Sequence, residues 1–354
     1  MILNKLNVIL RSLIKHRINF RNHPNQKLSE SKIILIKFFW ATESLPIIRH
    51  YQIPVFSLFF LVITFLLCPT DSLATESLEI QVIDDAERPV VLDQPAQRII
   101  SLSPHITELI YSAGAGEKIV AVDDYSNYPE SAKSIPRIGD ANHLDIEKIL
   151  SLQPDLIVAW GSGQSHNQFI EQLIHLNLTV YISSPEDMEA IPHTVENLGK
   201  LAGSYDYAKQ QSQEFRDELT DIINEYSRQA SVSVFYEIWN QPLFTINGQH
   251  VMSKVIEICG GRNVFAELPI LSPEVNIEAV ISANPDVIIA SGVVSRTGNG
   301  DQRPPWLDDW LQWPTIKAAR NNHLYHIPPD LIHRQTFRIL QGTRILCEQL
   351  QSAR

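Results

Sequence analysis

The chain has 354 residues, 44% of them hydrophobic and 19% charged, and a formal net charge of −11. Setting aside the first 74 residues removes 9 of the 29 Lys and Arg but only 3 of the 40 Asp and Glu, so the remainder carries −17. That balance excludes nucleic acid as a partner, since such binding depends on Lys and Arg at phosphates, while the remaining length suits one large domain or two ordinary ones.

The N-terminal segment is read first. Ile53 to Cys68, "IPVFSLFFLVITFLLC", is an apolar run followed by the small residues Ser72 and Ala74. The run is shorter than the roughly 20 residues a spanning helix needs, so it reads as a secretory signal with cleavage expected after Ala74. Cys68 raises a lipoprotein anchor as an alternative, but Leu67 stands where that motif wants a small residue. The basic stretch before the run is either an over-extended start or a cytoplasmic tail on an uncleaved anchor. Residues 1–74 therefore stand outside the fold argument, and the protein is expected to be exported.

From Arg98 the elements follow in order. "RIISLS" predicts a strand that enters the helix "PHITELIYSAGAG", with Pro104 in its first turn and Gly114 at its end. "IVAVDDYS" predicts a second strand. "DIEKILSLQPDLIVAW", Asp145 to Trp160, then divides at Pro154 into a capped helix and a short, wholly apolar run. Apolar residues on both faces imply a strand buried on both faces, as in a parallel sheet covered by helices. "LTVYIS" is a further strand. Tyr205 to Ala230 repeats apolar residues at three- and four-residue steps without Gly or Pro, which predicts one continuous helix.

The second half repeats the plan, with the strand "SVFYEIW", the helix "SKVIEICGG" and the strand "LYHIPP". Between the last two, "NIEAVISANPDVIIAS", Asn276 to Ser291, matches Asp145–Trp160 with seven identities, Glu147/Glu278 and Pro154/Pro285 among them. The fold class expected is α/β: two Rossmann-like lobes with short, mostly parallel sheets, joined by a single long helix; the resemblance given below adds a ligand cleft between the lobes. The boundaries expected are 75–204, 205–230 and 231–354. A helix is a stiffer hinge than crossing strands, so only modest lobe motion is expected.

The chemistry-bearing residues are sparse. No GxSxG, HExxH or GxxxxGK[ST] motif occurs, which leaves an exported hydrolase as a minor alternative. The histidines, including His166 and His333, show no metal-ligand spacing, so no protein-bound metal is expected. Cys259 and Cys347, an even pair in an exported chain, read as one disulfide, with two buried thiols as the alternative. Trp306, Trp310 and Trp313, spaced by four and three, read as helix packing.

The motifs "RIISLSPHITEL", "DDYSNYPESAKSIPRIGD", "LDIEKILSLQPDLIVAWGSG", "VIEICGGRNVF" and "IPPDLIHRQTFRIL" occur in an order that resembles the periplasmic binding proteins of ABC importers for cobalamin, ferric siderophores and haem, the cobalamin branch above all. The resemblance spans about Arg98 to Leu350. It implies a non-catalytic monomer that captures cobalamin or a related corrinoid and delivers it to a dimeric permease in the inner membrane. No cofactor is implied, since the corrinoid is cargo; haem or a ferric siderophore is the alternative cargo.

Carried over residue by residue, the resemblance makes Glu147 and Glu278 the pair that docks into permease arginine pockets, one per lobe. It places Tyr125, Trp160, His105, Asp330 and Arg334 at the cleft and pairs Cys259 with Cys347. Two family aromatics are missing, at Ala141 and Ser272, and a third position holds Ile238, where neighbouring Trp239 is the expected substitute. The alternatives for Tyr125 and Trp160 are ordinary core packing, and for the two glutamates solvated helix faces.

Overall fold

The computed structural model describes residues 79–140, 143–161, 164–185, 187–292 and 303–354. The expected signal segment with Cys68 and Ala74, the side chain of His166, and Ala141 lie outside them. Glu76–Arg354 is one compact unit containing both lobes.

The N-terminal lobe is built on β1 (Ile99–Ser101), β2 (Ile119–Val122), β3 (Leu156–Trp160) and β4 (Val180–Ser183), all parallel in the order β2-β1-β3-β4. The C-terminal lobe uses β5 (Val232–Glu237), β6 (Gly261–Asn263), β7 (Val287–Ala290) and β8 (Leu324–His326), again all parallel, in the order β6-β5-β7-β8. The two orders are the same. Each copy of the duplicated stretch therefore supplies the third strand of its own sheet.

Local geometry repeats as well. The copies form α2 (Ile146–Ser151) and α7 (Ile277–Ala283), separated in the chain by helices introduced below. Asp145 caps the first, its carboxylate accepting from Lys148 N at 2.9 Å, and Asn276 caps the second, accepting from Ala279 N at 2.8 Å. Gln153 and Asn284, each just before the repeated proline, both take φ of 46°. A residue before proline is disfavoured in the helical region, so the chain leaves each helix there and turns into the strand.

Parallel strands need long crossovers, which the helices provide. In chain order they are α1 (Pro104–Ser112), α2, α3 (Gln164–His175), α4 (Ala190–Ala202), α5 (Tyr205–Tyr226), α6 (Val251–Ile258), α7, α8 (Lys317–Arg320), α9 (Pro329–Ile332) and α10 (Ile339–Ser352). Side chains alternate between two cores. Ile99, Leu156 and Val158 point into one cluster and Ile100, Ile157 and Ala159 into another. In the C-terminal sheet Val234, Tyr236, Val287 and Ile289 join that first cluster, whereas Phe235, Ile288 and Ala290 form a third. The first cluster also takes Ala208, Phe215 and Ile222 of α5, so one core runs through the linking helix from lobe to lobe.

Two expectations are corrected. The linking helix ends at Tyr226 rather than Ala230, because Ser227 caps it and Gln229 N turns back onto Tyr226 O before β5 begins. Its 22 residues span about 33 Å. The three tryptophans lie in and just after a 3-10 helix, Pro305–Gln312, not an α-helix. Trp310 packs edge-on against Phe235, but Trp313 is 39% exposed. The Cys259–Cys347 disulfide is present, tying the end of α6 to α10 with a Cα separation of 4.6 Å.

Candidate functional site

In an open parallel sheet, ligands settle at the carboxyl ends of the strands, where loops and helix N-termini converge. A cavity of about 300 Å³ lies there in this chain. The ends of β1, β2 and β3 contribute Leu102, Ser103, His105, Asp123, Tyr125 and Trp160, and the segment beyond β8 and α9 contributes His333, Arg334 and Gln335 from the other lobe. Of the expected cleft residues, Tyr125, Trp160, His105 and Arg334 are brought together.

A buried chain of hydroxyls fixes the N-terminal wall. Ser101 Oγ lies 2.8 Å from Thr107 Oγ1, which lies 2.7 Å from Ser126 Oγ, and Ser126 donates to the Asp123 carboxylate. This ties the β1–α1 turn to the end of β2. Asp123 also accepts from Tyr125 N at 3.1 Å, and Arg137 Nη1 donates to the carbonyls of Asp123 and Ser126, both at 2.8 Å. Burial raises the pKa of Asp123, opposed by the bonds from Ser126 and Tyr125. With its backbone held this way, Tyr125 projects its ring outward and is 61% exposed; Trp160 is 40% exposed. Neither is core packing. His105 sets its ring edge-on to Trp160 at 5.4 Å while its Nδ1 lies 2.6 Å from Ser103 Oγ.

Asp140 reaches the cavity from a short antiparallel pairing of Gly139–Asp140 with His143–Leu144. Gly139 has φ of 98°, and a Cβ there would collide with the carbonyl oxygen of His143, so only glycine permits the turn.

The lobes meet at a cluster the sequence reading missed. Glu108 of α1 is buried, its side chain 2% exposed. Arg338 binds it with Nε at 2.9 Å from Oε2 and Nη2 at 2.6 Å from Oε1. Arg334 Nη1 adds a bond to Oε1 at 2.8 Å, and Thr336 Oγ1 one to Oε2 at 2.9 Å. Burial works against the Arg338 charge, but hydrogen bonding to Glu108 raises its pKa above the ordinary value. Asn127, also from the N-terminal lobe, accepts from Arg334 at 2.7 Å and donates to Asp330 at 3.3 Å. The signal in the sequence is a lone charge inside the apolar helix "HITELI", all six residues of which are buried. An isolated carboxylate in such a helix needs a cationic partner.

Asp330 sits in an adjoining hollow of about 400 Å³ with Tyr128 and Arg338, whose guanidinium stacks 4.1 Å from the Tyr128 ring. Trp239 is 44% exposed on a two-strand hairpin, its Nε1 donating to Gln241 O, and lines neither hollow. His333, in the cavity wall, lies 3.1 Å from Tyr236 Oη; burial first, then His250 nearby, lowers its pKa to about 4, so it is neutral at neutral pH.

Glu147 and Glu278 are both exposed in the first turns of α2 and α7. Each of these helices runs back along its sheet and feeds the third strand, so its N-terminus lies at the carboxyl, cleft-side end of that sheet.

The model of the periplasmic binding protein family matches residues 99–331. The vitamin B12-binding protein of Vibrio campbellii is 35% identical over 262 residues, covering 73% of this chain and 91% of that protein. That of Yersinia pestis is 34% identical over 259 residues, covering 73% and 88%. The crystal structure of the periplasmic vitamin B12-binding protein of Vibrio cholerae superposes with a TM-score of 0.65 at 33% identity, covering 73% of this chain and 98% of that one. The periplasmic haem-binding protein of Vibrio cholerae shares the fold at 19% identity and a TM-score of 0.61, covering 72% and 98%. With two-thirds of its length under the family model and relatives above 30% identity, the chain belongs to the periplasmic binding protein family.

Proposed function

We propose that this protein captures cobalamin, or a related corrinoid, in the inter-lobe cleft and hands it to the permease of an ABC importer. The observation that carries the reading is the pair of exposed rings, Tyr125 and Trp160, at the cleft-side strand ends of a chain whose relatives are vitamin B12-binding proteins. A corrinoid is a broad, flat, largely apolar ring edged with amides. It calls for aromatic faces against it and a few polar groups at its rim. The ring overfills a hollow of about 300 Å³, so it rests across the mouth, with Tyr125 and Trp160 as walls and Asp123, Asp140 and Gln335 at its edge.

The protein works as a carrier rather than an enzyme, in the periplasm, after cleavage at Ala74. Glu147 and Glu278 dock it. A two-fold symmetric permease asks for the same handle twice, and carboxylate–guanidinium pairs are bidentate and orienting. Tyr125→Ala with Trp160→Ala is expected to weaken cyanocobalamin binding by roughly 10- to 100-fold, the loss of two aromatic contacts of about 1 kcal/mol or more each. Glu147→Ala with Glu278→Ala is expected to spare binding and impair cellular uptake. Loss of affinity in the glutamate pair, or unchanged affinity in the aromatic pair, would refute this division of roles.

A further inference from the structure

The charge around the cleft points to a selection rule. Among the described residues, Arg334 is the one Lys or Arg lining the cavity, and Arg338 the one lining the adjoining hollow. Neither guanidinium faces a ligand unpaired. Arg334 gives Nη1 to Glu108 and Asn127 and Nη2 to Asp330 at 3.1 Å. Arg338 gives Nε and Nη2 to Glu108 and lays its face on Tyr128. Two arginines are thus balanced by Glu108 and Asp330, while the opposite wall carries Asp123 and Asp140. Whatever the ionisation of Asp123, the described walls hold no positive charge in excess. His333 adds none at neutral pH, its pKa being lowered to about 4 by burial and by His250.

We propose that Glu108 is the residue that sets the charge class of the cargo: by taking up both arginines across the lobe interface, it makes the cleft accept an amide-bordered, electroneutral ring and reject a carboxylate-bordered one. The inference rests on the corrinoid reading above. A carboxylate entering a partly dry hollow must exchange hydration for charge-assisted bonds. Here those donors are engaged, so an anionic ring competes with Glu108 itself. An amide edge instead donates N–H to the carboxylates of Asp123 and Asp140 and brings no charge to desolvate. Glu108 does not line the cavity and acts through Arg334 and Arg338 as a positioning residue.

The test holds ring shape constant and changes only the border. Dicyanocobinamide carries amides and dicyanocobyrinic acid carries carboxylates on the same macrocycle. Their affinities are read by absorbance titration of protein purified from cells expressing the full chain. The wild type is expected to prefer the amide form at least 100-fold. Glu108→Gln is expected to cut that preference at least tenfold by tightening the carboxylate form, in a manner that salt weakens, and Glu108→Asp to restore it. Equal binding of the two rings by the wild type would overturn the selection rule while leaving the corrinoid reading in place, as would a preference that Glu108→Gln does not change. Failure of the wild type to bind either ring would overturn the corrinoid reading and the rule with it. Should Glu108→Gln not fold, Asp330→Asn, which frees Arg334 Nη2 at a half-exposed site, is expected to lower the preference about threefold, and an unchanged preference there counts against the rule.

Discussion

Single residues here are tuned by burial against specific donors. Glu237, at the end of β5, is 1% exposed and accepts from Trp310 Nε1 at 2.7 Å. Burial raises its pKa from 4.5 to about 7, with the bond from Trp310 opposing. A carboxyl whose folded pKa is raised contributes stability that is whole below its unfolded pKa and is lost as pH climbs through the folded value. Between pH 4.5 and 7.5 the stability of Glu237→Gln is therefore expected to gain on the wild type by about 3 kcal/mol, measured by urea unfolding at a series of pH values. A difference independent of pH would contradict it. His333 acts with the opposite sign: its lowered pKa costs stability as pH falls below 6.5, so the two groups oppose one another in the wild type and the variant exposes the histidine's slope. At this scale the sequence was least legible. Tyr125 and Trp160 stood out as aromatics at strand ends, but Glu108, Asp123 and Arg338 did not, because their roles depend on partners more than 200 residues away or on burial that no local pattern encodes.

Elements were more legible. The duplicated stretch encodes its own cap, its proline stop and a two-faced apolar strand, and all three recur as the same third strand in both sheets. Periodicity also found α5, though not where it ends: four residues beyond Tyr226 fit the helical pattern, yet the chain has to turn into β5. Trp306, Trp310 and Trp313 satisfied helical spacing, yet they lie in and just after a tighter 3-10 helix, where Trp310 is buried, Trp306 partly buried and Trp313 exposed. The disulfide belongs to this scale too, since it staples α6 to α10 across a separation of 88 residues. Replacing both cysteines by serine is expected to cost ~4 kcal/mol in the loop-entropy account. Unfolding in urea with and without reductant checks this: the wild type should fall to the level of the variant when reduced, and equal stabilities before reduction would count against it.

The two lobes repeat one sheet order, share a core through α5 and are bridged by a buried ion cluster between α1 and the segment that leads into α10. The core sets lobe against lobe along the helix, and the Glu108 cluster adds a polar bridge close to it, since Phe337, next to Arg338, stacks on Phe215 of α5. Removing one partner of a buried ion pair commonly costs 3–5 kcal/mol because the other charge is left uncompensated, so Glu108 and Arg338 hold each other in place where the two lobes meet. The two-lobed plan was readable from the repeat and the strand runs. The bridge was not, because it is made from a helix in one lobe and a loop in the other. On the reading proposed above, these walls fit a corrinoid better than an iron-bearing ligand. Isothermal titration calorimetry of the purified protein with cyanocobalamin, haemin and a ferric siderophore in parallel separates these cargoes. Saturable one-to-one binding of cyanocobalamin, at least tenfold tighter than either iron ligand, is the predicted result, and tighter binding of haemin or the siderophore would contradict it.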